Sequence, residues 1–434
     1  MKEITIIGKT DWRNSNQIFG IKDSDRLNHI YAIGKTGTGK STLLMNMAIS
    51  DIERGNGLCI IDPHGDVAET VLNYVPKERI NDVIYFNAAD TEFPTAFNPL
   101  NSFYSHDHHL VVSNLISTLK KIWADSWGPR LEHILRFCLL SLLHYPKATL
   151  LDIQPMLTDT YFRNGVLNYV ADQAILNFWR NEFDKYSPQF KSEAIAPILN
   201  KTGLFIASEP LRNIVGQESS SFSIREVMDG KKILICNLSK GIIGEDASAL
   251  LGSMMVTAIQ STALSRASYD LTMRTPFYFY IDEVHSFTTL SFIDVLSEAR
   301  KFGLSLFLTH QYIEQLEESM LPAIFGNIGT LISFRIGAED AKQLAREFYP
   351  IFSESDLIRL PRYSMYLKLM IDGVSSKPFS AIALSLKKAI NSYKDIILEN
   401  SRKKYGSNIA TVRNSIESRF ANQGSNHSSI QLFG

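Results

Sequence analysis

One short segment of the sequence has the residue types and spacing of a phosphate-binding loop. Residues 34–41 read GKTGTGKS, which fits the pattern G-x-x-x-x-G-K-[ST] at every position. In such a loop the glycines let backbone N–H groups turn inward around phosphates, Lys40 contacts the β- and γ-phosphates, and the Ser41 hydroxyl binds Mg²⁺. An apolar run, Ile30–Ile33, precedes the loop, and a helix is predicted over 41–49. The predicted binding residues for ATP are Gly34, Lys35, Thr36, Gly37, Thr38, Gly39, Lys40, Ser41 and Thr42.

A second apolar run, Phe277–Ile281, ends in two carboxylates, Asp282 and Glu283. A buried strand that ends in acidic residues is typical of the other half of an NTP-hydrolysing site. We predict that Asp282, indirectly, and Ser41, directly, hold Mg²⁺, and that Glu283 polarises the attacking water. An NTP-driven switch could omit such a base, whereas a fast hydrolase needs one. The pair therefore favours an ATPase.

Three further side chains are predicted to complete the site. Gln311 follows an apolar run at 304–309, where a polar group can contact both the γ-phosphate and the water. Arg300 precedes that run, and Arg335 ends another at 331–334. Either arginine is a candidate for the positive charge that often comes from a neighbouring subunit. The predicted catalytic residues are Lys40, Glu283, Gln311, Arg300 and Arg335.

The elements that must position these residues alternate between strands and helices. Short apolar runs, such as Gly57–Asp62, are typical of buried strands, and further ones are predicted at 4–7, 82–86, 232–237, 330–334 and 366–371. This rhythm predicts an α/β fold with a mainly parallel sheet. Between about 103 and 215 the apolar periodicity is helical instead, which predicts an inserted all-α domain. From Gly406 the chain is rich in Ser, Asn and Gln, which favours a mobile tail.

Composition excludes several classes of protein. The 434 residues carry 44 Lys+Arg against 45 Asp+Glu, so any nucleic-acid contact must be a local patch. Three widely separated cysteines support neither a disulfide framework nor a zinc ribbon and fit a reducing compartment. The longest continuous apolar runs are far shorter than the roughly 18–20 residues that span a bilayer. We expect a soluble, cytoplasmic protein with no membrane span of its own.

Taken in order, these motifs resemble the HerA/FtsK superfamily of ring ATPases. The nearest group is the soluble motor portion of the type IV secretion, or conjugative, coupling proteins of the TraD/TraG kind. The matching segments span roughly residues 18–385. They are HIYAI at 29–33 with the loop after it, DPHGD at 62–66, FNPL at 97–100, NLSKG at 237–241, Asp282-Glu283, EARK at 298–301, His310-Gln311, and 327–337 with Phe334-Arg335.

This resemblance implies a RecA-like P-loop NTPase core that assembles into a ring, usually a hexamer, and threads DNA through its channel. ATP would be hydrolysed between subunits, with the arginine finger at the position of Arg300. The expected division is a core over 1–101 and 216–385, an all-helical insertion over 102–215, and a basic C-terminal helix with a flexible tail over 386–434. Secretion-channel or relaxosome-like partners are expected, and a partner could recruit the chain to the inner face of the membrane.

Two other functions fit the same residues. One is a type IV secretion ATPase that powers protein export or pilus assembly without DNA. The other is a non-motor NTP-binding component of a defence or DNA-processing complex. Asp282, Glu283, Gln311 and a finger arginine argue against the last, because they are the groups of an active hydrolase. Balanced charge does not distinguish the first two motors, so DNA-translocating ATPase remains the leading hypothesis.

Overall fold

The fold is described from a computed structural model, which covers residues 3–11, 15–102, 108–288 and 292–425. The strands are β1 (Ile4–Thr10), β2 (Ile18–Lys22), β3 (Ile30–Ile33), β4 (Gly57–Asp62), β5 (Val83–Asn87), β6 (Ile233–Asn237), β7 (Phe277–Ile281), β8 (Leu304–His310), β9 (Thr330–Ser333), β10 (Ser364–Lys368), β11 (Met370–Ile371), β12 (Val374–Ser375) and β13 (Phe379–Ala383).

The α-helices are interspersed among these strands. They are α1 (Asp23–Arg26), α2 (Lys40–Glu53), α3 (Asp66–Leu72), α4 (Pro99–Ser102), α5 (His108–Ile122), α6 (Pro129–His144), α7 (Ile153–Thr158), α8 (Thr160–Leu167), α9 (Gln173–Asn177), α10 (Pro188–Ala207), α11 (Glu209–Val215), α12 (Ile224–Asp229), α13 (Lys240–Ile243), α14 (Glu245–Leu264), α15 (Phe292–Glu298), α16 (Met320–Asn327), α17 (Ala338–Phe348), α18 (Glu354–Arg359), α19 (Lys394–Tyr405) and α20 (Ile409–Ser425).

Eleven strands form one large sheet in the order β2-β1-β13-β10-β9-β3-β8-β7-β4-β6-β5. From β9 through β3, β8, β7 and β4 to β6 every neighbouring pair is parallel, whereas β10, β13, β1 and β2 pair antiparallel. All residues of β3, β4, β7 and β8 are buried. This explains their mainly apolar sequences, since a parallel strand packs helices on both faces.

The register of the central strands brings their carboxyl ends to one edge of the sheet. Ile33, the last residue of β3, pairs with His310 of β8, and Ile281 of β7 pairs with Leu308. The segments that follow β3, β7 and β8 therefore emerge side by side. These segments carry the phosphate loop, the acidic pair and Gln311. The order and register of the strands therefore bring these predicted site residues to the same edge of the sheet. The mainly parallel α/β fold with an all-helical insertion is confirmed.

The chain divides into two compact units. The first comprises residues 1–86, 225–238 and 263–401, and it contains the central sheet. The second comprises 87–224, 239–262 and 402–434. The division in the structure thus assigns to the second, helical unit four segments that we placed elsewhere from the sequence: 87–101, 216–224, 239–262 and 402–434.

The C-terminal region differs from the expected mobile tail. Residues 409–425 form α20, in which Val412 and Ile416 are buried. In the same unit Arg419 contacts Asp152, with Nη2 2.6 Å from Oδ2. The apolar residues of this helix were too sparse in sequence to show a clear period. The remainder of the predicted tail, 426–434, lies outside the described residues.

One helical segment of the described chain, Glu245–Ser268, is long and apolar enough by composition to cross a membrane. It was not apparent as a continuous apolar run because Ser, Thr and Gln interrupt it. However, 83% of its most apolar stretch is buried inside the molecule. In the helical unit Thr257 of α14 shares a hydrogen bond with Thr118 of α5, with their hydroxyl oxygens 3.1 Å apart. We interpret α14 as a core helix.

Candidate nucleotide site

The phosphate loop connects the end of β3 to the start of α2, as the sequence predicts. Gly37 and Gly39 have φ angles of 74° and 128°, which residues with a Cβ atom rarely adopt. Within the loop the Thr38 hydroxyl donates to the carbonyl oxygen of Lys35 at 2.7 Å. Ser41 and Thr42 lie in the first turn of α2, where unpaired backbone N–H groups favour an anion. The loop therefore has the backbone shape that a phosphate cradle requires.

Lys40 is buried inside this loop although it carries a charge. Its Nζ donates to the carbonyl oxygens of Gly34 at 2.5 Å and of Lys35 at 3.3 Å. Burial lowers the pKa of the Lys40 ammonium group, whereas the carboxylates of Glu283 and Asp282 act to raise it. A buried ammonium group that donates to carbonyl oxygens has lost its hydration. A nearby anion stabilises it, because the attraction between opposite charges compensates for the lost contacts with water.

Neighbouring segments of the sheet hold the loop from two sides. Next to β9, the backbone N–H of Lys35 donates to the carbonyl oxygen of Arg335 at 2.9 Å. On the approach to β10, the N–H of Tyr363 donates to the carbonyl oxygen of Thr38 at 2.9 Å. Nε of Arg362 donates to the carbonyl oxygen of Gly37 at 3.0 Å. The loop is thus anchored to residues 300 or more positions away in sequence.

Asp282 lies at the end of β7 and is almost fully buried. Its Oδ1 accepts hydrogen bonds from the Thr309 hydroxyl and, at 3.2 Å, from the N–H of Glu283. Burial raises the pKa of Asp282, with a further rise from Glu283, while Thr309 and Lys40 lower it. A buried carboxylate with one strong donor and spare lone pairs suits a cation-binding role.

Glu283 adopts a left-handed backbone conformation with φ 52° and is 5% exposed. This conformation is uncommon for a residue with a long side chain and directs the carboxylate away from the strand. Oε1 accepts a hydrogen bond of 2.7 Å from Nε2 of Gln311. Among the described residues Oε2 has no hydrogen-bond partner, and Nδ1 of His285 lies 3.5 Å away. One buried carboxylate oxygen is therefore available as a proton acceptor.

Gln311 links the two halves of the site. Its Nε2 donates to Glu283, and its Oε1 accepts a hydrogen bond of 2.9 Å from the hydroxyl of Thr36 in the phosphate loop. Gln311 is thereby placed between loop and acid, where the sequence predicts it. Its neighbour His310 is fully buried, with Nδ1 2.9 Å from the hydroxyl of Tyr31. Burial lowers the pKa of His310 to about 3, so this imidazole is neutral and packs behind the site.

The two predicted arginines lie at opposite ends of the parallel strands. Arg335 is exposed and follows β9, next to the chain's own phosphate loop. Arg300 is exposed and precedes β8, and its guanidinium donates to the side chain of Asn28, just before β3. The seven residues of β8 separate Arg300 from Gln311, which at about 3.3 Å each amounts to about 20 Å. Arg300 is therefore not placed beside its own loop.

Several residues at the site had no predicted role. Asp62 ends β4 and is fully buried, and its two oxygens accept from the N–H groups of His64 and Ala68, each at 2.9 Å. Burial raises the pKa of Asp62, and the backbone hydrogen bonds oppose that shift. A strand that ends in an acid was the available signal for Asp62. Thr309 could have been found from its place two residues before Gln311, but nothing local marks Arg362.

The residues present fit ATP and Mg²⁺. Lys40 lies in a loop with the required backbone, and Ser41 stands at the start of α2. Asp282 and Glu283 follow β7, whose carboxyl end lies at the same edge of the sheet as the loop. The loop, the acids and the bridging amide share one edge of a parallel sheet, which is the arrangement of a RecA-like P-loop NTPase.

The family is also evident from the sequence as a whole. The family model for the type IV secretion-system coupling protein DNA-binding domain matches residues 18–349, and the chain belongs to this family. No curated protein matches the chain.

Several solved structures share the fold. The bacterial conjugative coupling protein TrwBdeltaN70, in an unbound form, is similar with a TM-score of 0.65 and 17% identity, and the match covers 90% of each chain. TrwB in complex with ADP and Mg²⁺ gives 0.63 and 16%, covering 89% of this chain and 91% of that one. VirB4 of Thermoanaerobacter pseudethanolicus gives 0.58 and 13%, covering 88% and 96%.

Proposed function

We propose that this chain is the ATP-hydrolysing motor of a conjugative coupling protein and that it moves DNA. The observation that supports hydrolysis most directly is the Gln311 bridge, which joins the phosphate loop to a buried carboxylate whose second oxygen accepts no hydrogen bond from the described residues. A site that only bound a nucleotide would not need a buried carboxylate in position to accept a proton. The family match to a DNA-binding domain supports DNA as the substrate that is moved.

In the proposed reaction, water attacks the γ-phosphate of ATP while its proton passes to Oε2 of Glu283. The bond between the γ-phosphorus and the β,γ-bridging oxygen breaks, and ADP and phosphate result. Lys40 neutralises charge on the β- and γ-phosphates, and Gln311 orients the water. Ser41, directly, and Asp282, indirectly, would hold Mg²⁺, which would supply further positive charge to the phosphate oxygens.

The proposed assembly is a ring of six subunits with ATP between neighbours. Arg300 supports a shared site, because it is exposed and lies about 20 Å from its own loop. DNA would pass through the channel of the ring. Secretion-channel or relaxosome-like proteins would be partners, and we propose a cytoplasmic location with recruitment to the inner face of the membrane.

The direct test is ATP turnover with and without long double-stranded DNA. The wild type should hydrolyse ATP faster when DNA is added. Lys40→Ala should abolish turnover because it removes the phosphate clamp. Glu283→Gln should still bind ATP but lose a factor of about 10² to 10⁴ in rate, because an amide does not accept the proton of water. Wild-type rates in Glu283→Gln would contradict the assignment of the base.

Turnover that DNA does not change would instead favour a secretion ATPase that exports protein. The similarity to VirB4 is a similarity of fold and does not distinguish these two functions. Single-stranded DNA should be tested in parallel, so that lack of response to one DNA form is not mistaken for lack of response to DNA. If neither form stimulates turnover, the DNA-moving proposal fails while the ATPase proposal stands.

A further inference from the structure

Two threonines of the phosphate loop, Thr36 and Thr38, direct their hydroxyl groups to different partners. Thr38 is buried and donates to the carbonyl oxygen of Lys35, so its hydroxyl stabilises the loop itself. Thr36 is exposed and donates out of the loop to Oε1 of Gln311 at 2.9 Å. One hydroxyl of the loop therefore stabilises the loop itself, and another binds a side chain that follows β8.

We propose that Thr36 is a positioning residue for hydrolysis: its hydroxyl fixes the amide of Gln311 in the orientation that presents an N–H group to Glu283. This inference rests on the proposed ATPase function. Thr36 does not contact the reacting atoms in this scheme. It acts on the rate only through Gln311, whereas the backbone of the loop holds the phosphates.

The chemistry of the amide explains why orientation matters. A glutamine side chain has one acceptor oxygen and two N–H donors. With Oε1 bound to Thr36, both donors of Nε2 point toward the acidic side of the site. One of these N–H groups donates to Oε1 of Glu283, and the distance from Nε2 to that oxygen is 2.7 Å. The second remains for the attacking water or a γ-phosphate oxygen, and Oε2 of Glu283 remains for the proton. A reversed amide would set its oxygen against a carboxylate and leave the water without a donor.

Gln311 needs this anchor because its surroundings hold it weakly. It is only partly buried and stands just past the end of β8, beyond the ladder of strand hydrogen bonds. Without the Thr36 hydroxyl, the amide loses the hydrogen bond to its oxygen and can leave the productive orientation. Small losses of alignment at a reacting centre reduce rates by up to about 100-fold.

The test uses the full-length chain and compares kcat with the KM for ATP. Thr36→Val removes the hydroxyl and keeps the size of the side chain. It should lower kcat between about 10- and 100-fold while KM changes by less than about twofold, because ground-state phosphate contacts remain. Thr36→Ser, which keeps the donor, should restore most of the rate. Thr38→Val is the matched control, and it should weaken ADP binding because its hydroxyl shapes the loop.

A double-mutant cycle separates positioning from phosphate binding. In a Gln311→Ala background, adding Thr36→Val should change kcat by less than about twofold, since the partner through which Thr36 acts is already absent. Independent, multiplying effects of the two substitutions would overturn the proposal, as would a rise in KM with kcat unchanged. Circular dichroism and ADP affinity check that each variant folds, and Thr36→Ala replaces Thr36→Val if the latter does not.

The proposal and the function beneath it fail in distinguishable ways. If the wild type turns over ATP and the two substitutions act independently, only the role of Thr36 is overturned. If the wild type does not hydrolyse ATP under any DNA condition, the ATPase function is overturned, and the role of Thr36 in hydrolysis is overturned with it.

Discussion

Arg26 and Asp51 form a bidentate ion pair in the core of the sheet unit, with N–O distances of 2.7 and 2.8 Å. Arg26 is 1% exposed and Asp51 is fully buried. Burial alone would raise the pKa of Asp51, but Arg26 and its hydrogen bonds outweigh that effect and lower it. The hydroxyl of Tyr280 contacts both side chains. The pair thus joins α2, which begins at Lys40, to β7, which ends one residue before Asp282.

We predict that Asp51→Asn destabilises the protein by about 3–5 kcal/mol, because the buried guanidinium of Arg26 loses its bidentate counter-charge and keeps the more distant carboxylate of Asp23, 3.8 Å away. Urea unfolding at neutral pH measures the change. Asp23→Asn is the control. It removes a more exposed carboxylate, which lies 2.9 Å from Arg54 and 3.8 Å from Arg26, and leaves the bidentate pair intact, so a cost below about 1 kcal/mol is expected. Equal costs for the two substitutions would show that the buried pair has no special weight.

Arg300 is predicted to act on the nucleotide of a neighbouring subunit. Arg300→Ala should keep nucleotide binding and lose a factor of about 10³ or more in turnover. When it is mixed with Lys40→Ala, turnover should partly return at interfaces where an intact arginine faces an intact loop. Subunit exchange must be shown in the same mixture, for example by fluorescence transfer between labelled subunits.

The matched control for this mixture is Arg335→Ala. Since Arg335 lies beside its own loop, it should not be complemented by Lys40→Ala subunits. If mixtures containing Arg300→Ala remain inactive although subunits exchange, action across the interface is excluded for Arg300. Recovery of turnover in mixtures that contain Arg335→Ala would instead identify Arg335 as the arginine that acts on the neighbouring subunit's nucleotide.

Arg362 is predicted to support nucleotide binding through the backbone of the loop. Its Nε donates to the carbonyl oxygen of Gly37, and its guanidinium lies 4.8 Å from the ring centroid of Tyr363. Arg362→Ala should weaken ADP binding by about 2- to 10-fold, the worth of one net hydrogen bond. Isothermal titration calorimetry measures this. Arg359→Ala, which removes an equally exposed arginine from α18, should leave the affinity unchanged.

His29 is predicted to make the fold sensitive to acid. Burial lowers its pKa to about 4, with a smaller contribution from Arg300, against a usual value near 6.5. Between these values the unfolded chain binds a proton that the folded chain rejects, so stability falls as the pH drops. The expected loss from His29 is about 2 kcal/mol between pH 7 and pH 5. His29→Asn, which suits the positive φ of 65°, should remove that part of the pH dependence. An unchanged slope in urea unfolding would contradict this.

The central strands and the phosphate loop could be predicted from sequence because their signals are local. Strands β4 and β7 have the predicted bounds, and β8 extends one residue further at its carboxyl end than predicted. Each is buried on both faces, so every residue of the strand is under the same pressure to be apolar. The loop has a fixed spacing for a comparable reason, since its backbone must close around a phosphate.

The antiparallel edge was harder to predict. Strands β2 and β13, with sequences IFGIK and FSAIA, were missed because they are short and only partly buried, and polar or small residues interrupt them. The contacts of Arg362 and Thr36 were invisible for another reason. Their partners, Gly37 and Gln311, are 325 and 275 positions away, and only the strand order brings them together.

Because Arg300 and the phosphate loop lie at opposite ends of the parallel strands, the number of complete nucleotide sites depends on how the subunits are joined. If each loop is completed by the arginine of the next subunit, an open row contains one fewer complete site than it has subunits. A lone subunit then has none, and a pair has one. Closure of the ring adds a complete site without adding a subunit, so turnover per subunit rises with assembly and steps up once more when the last gap closes.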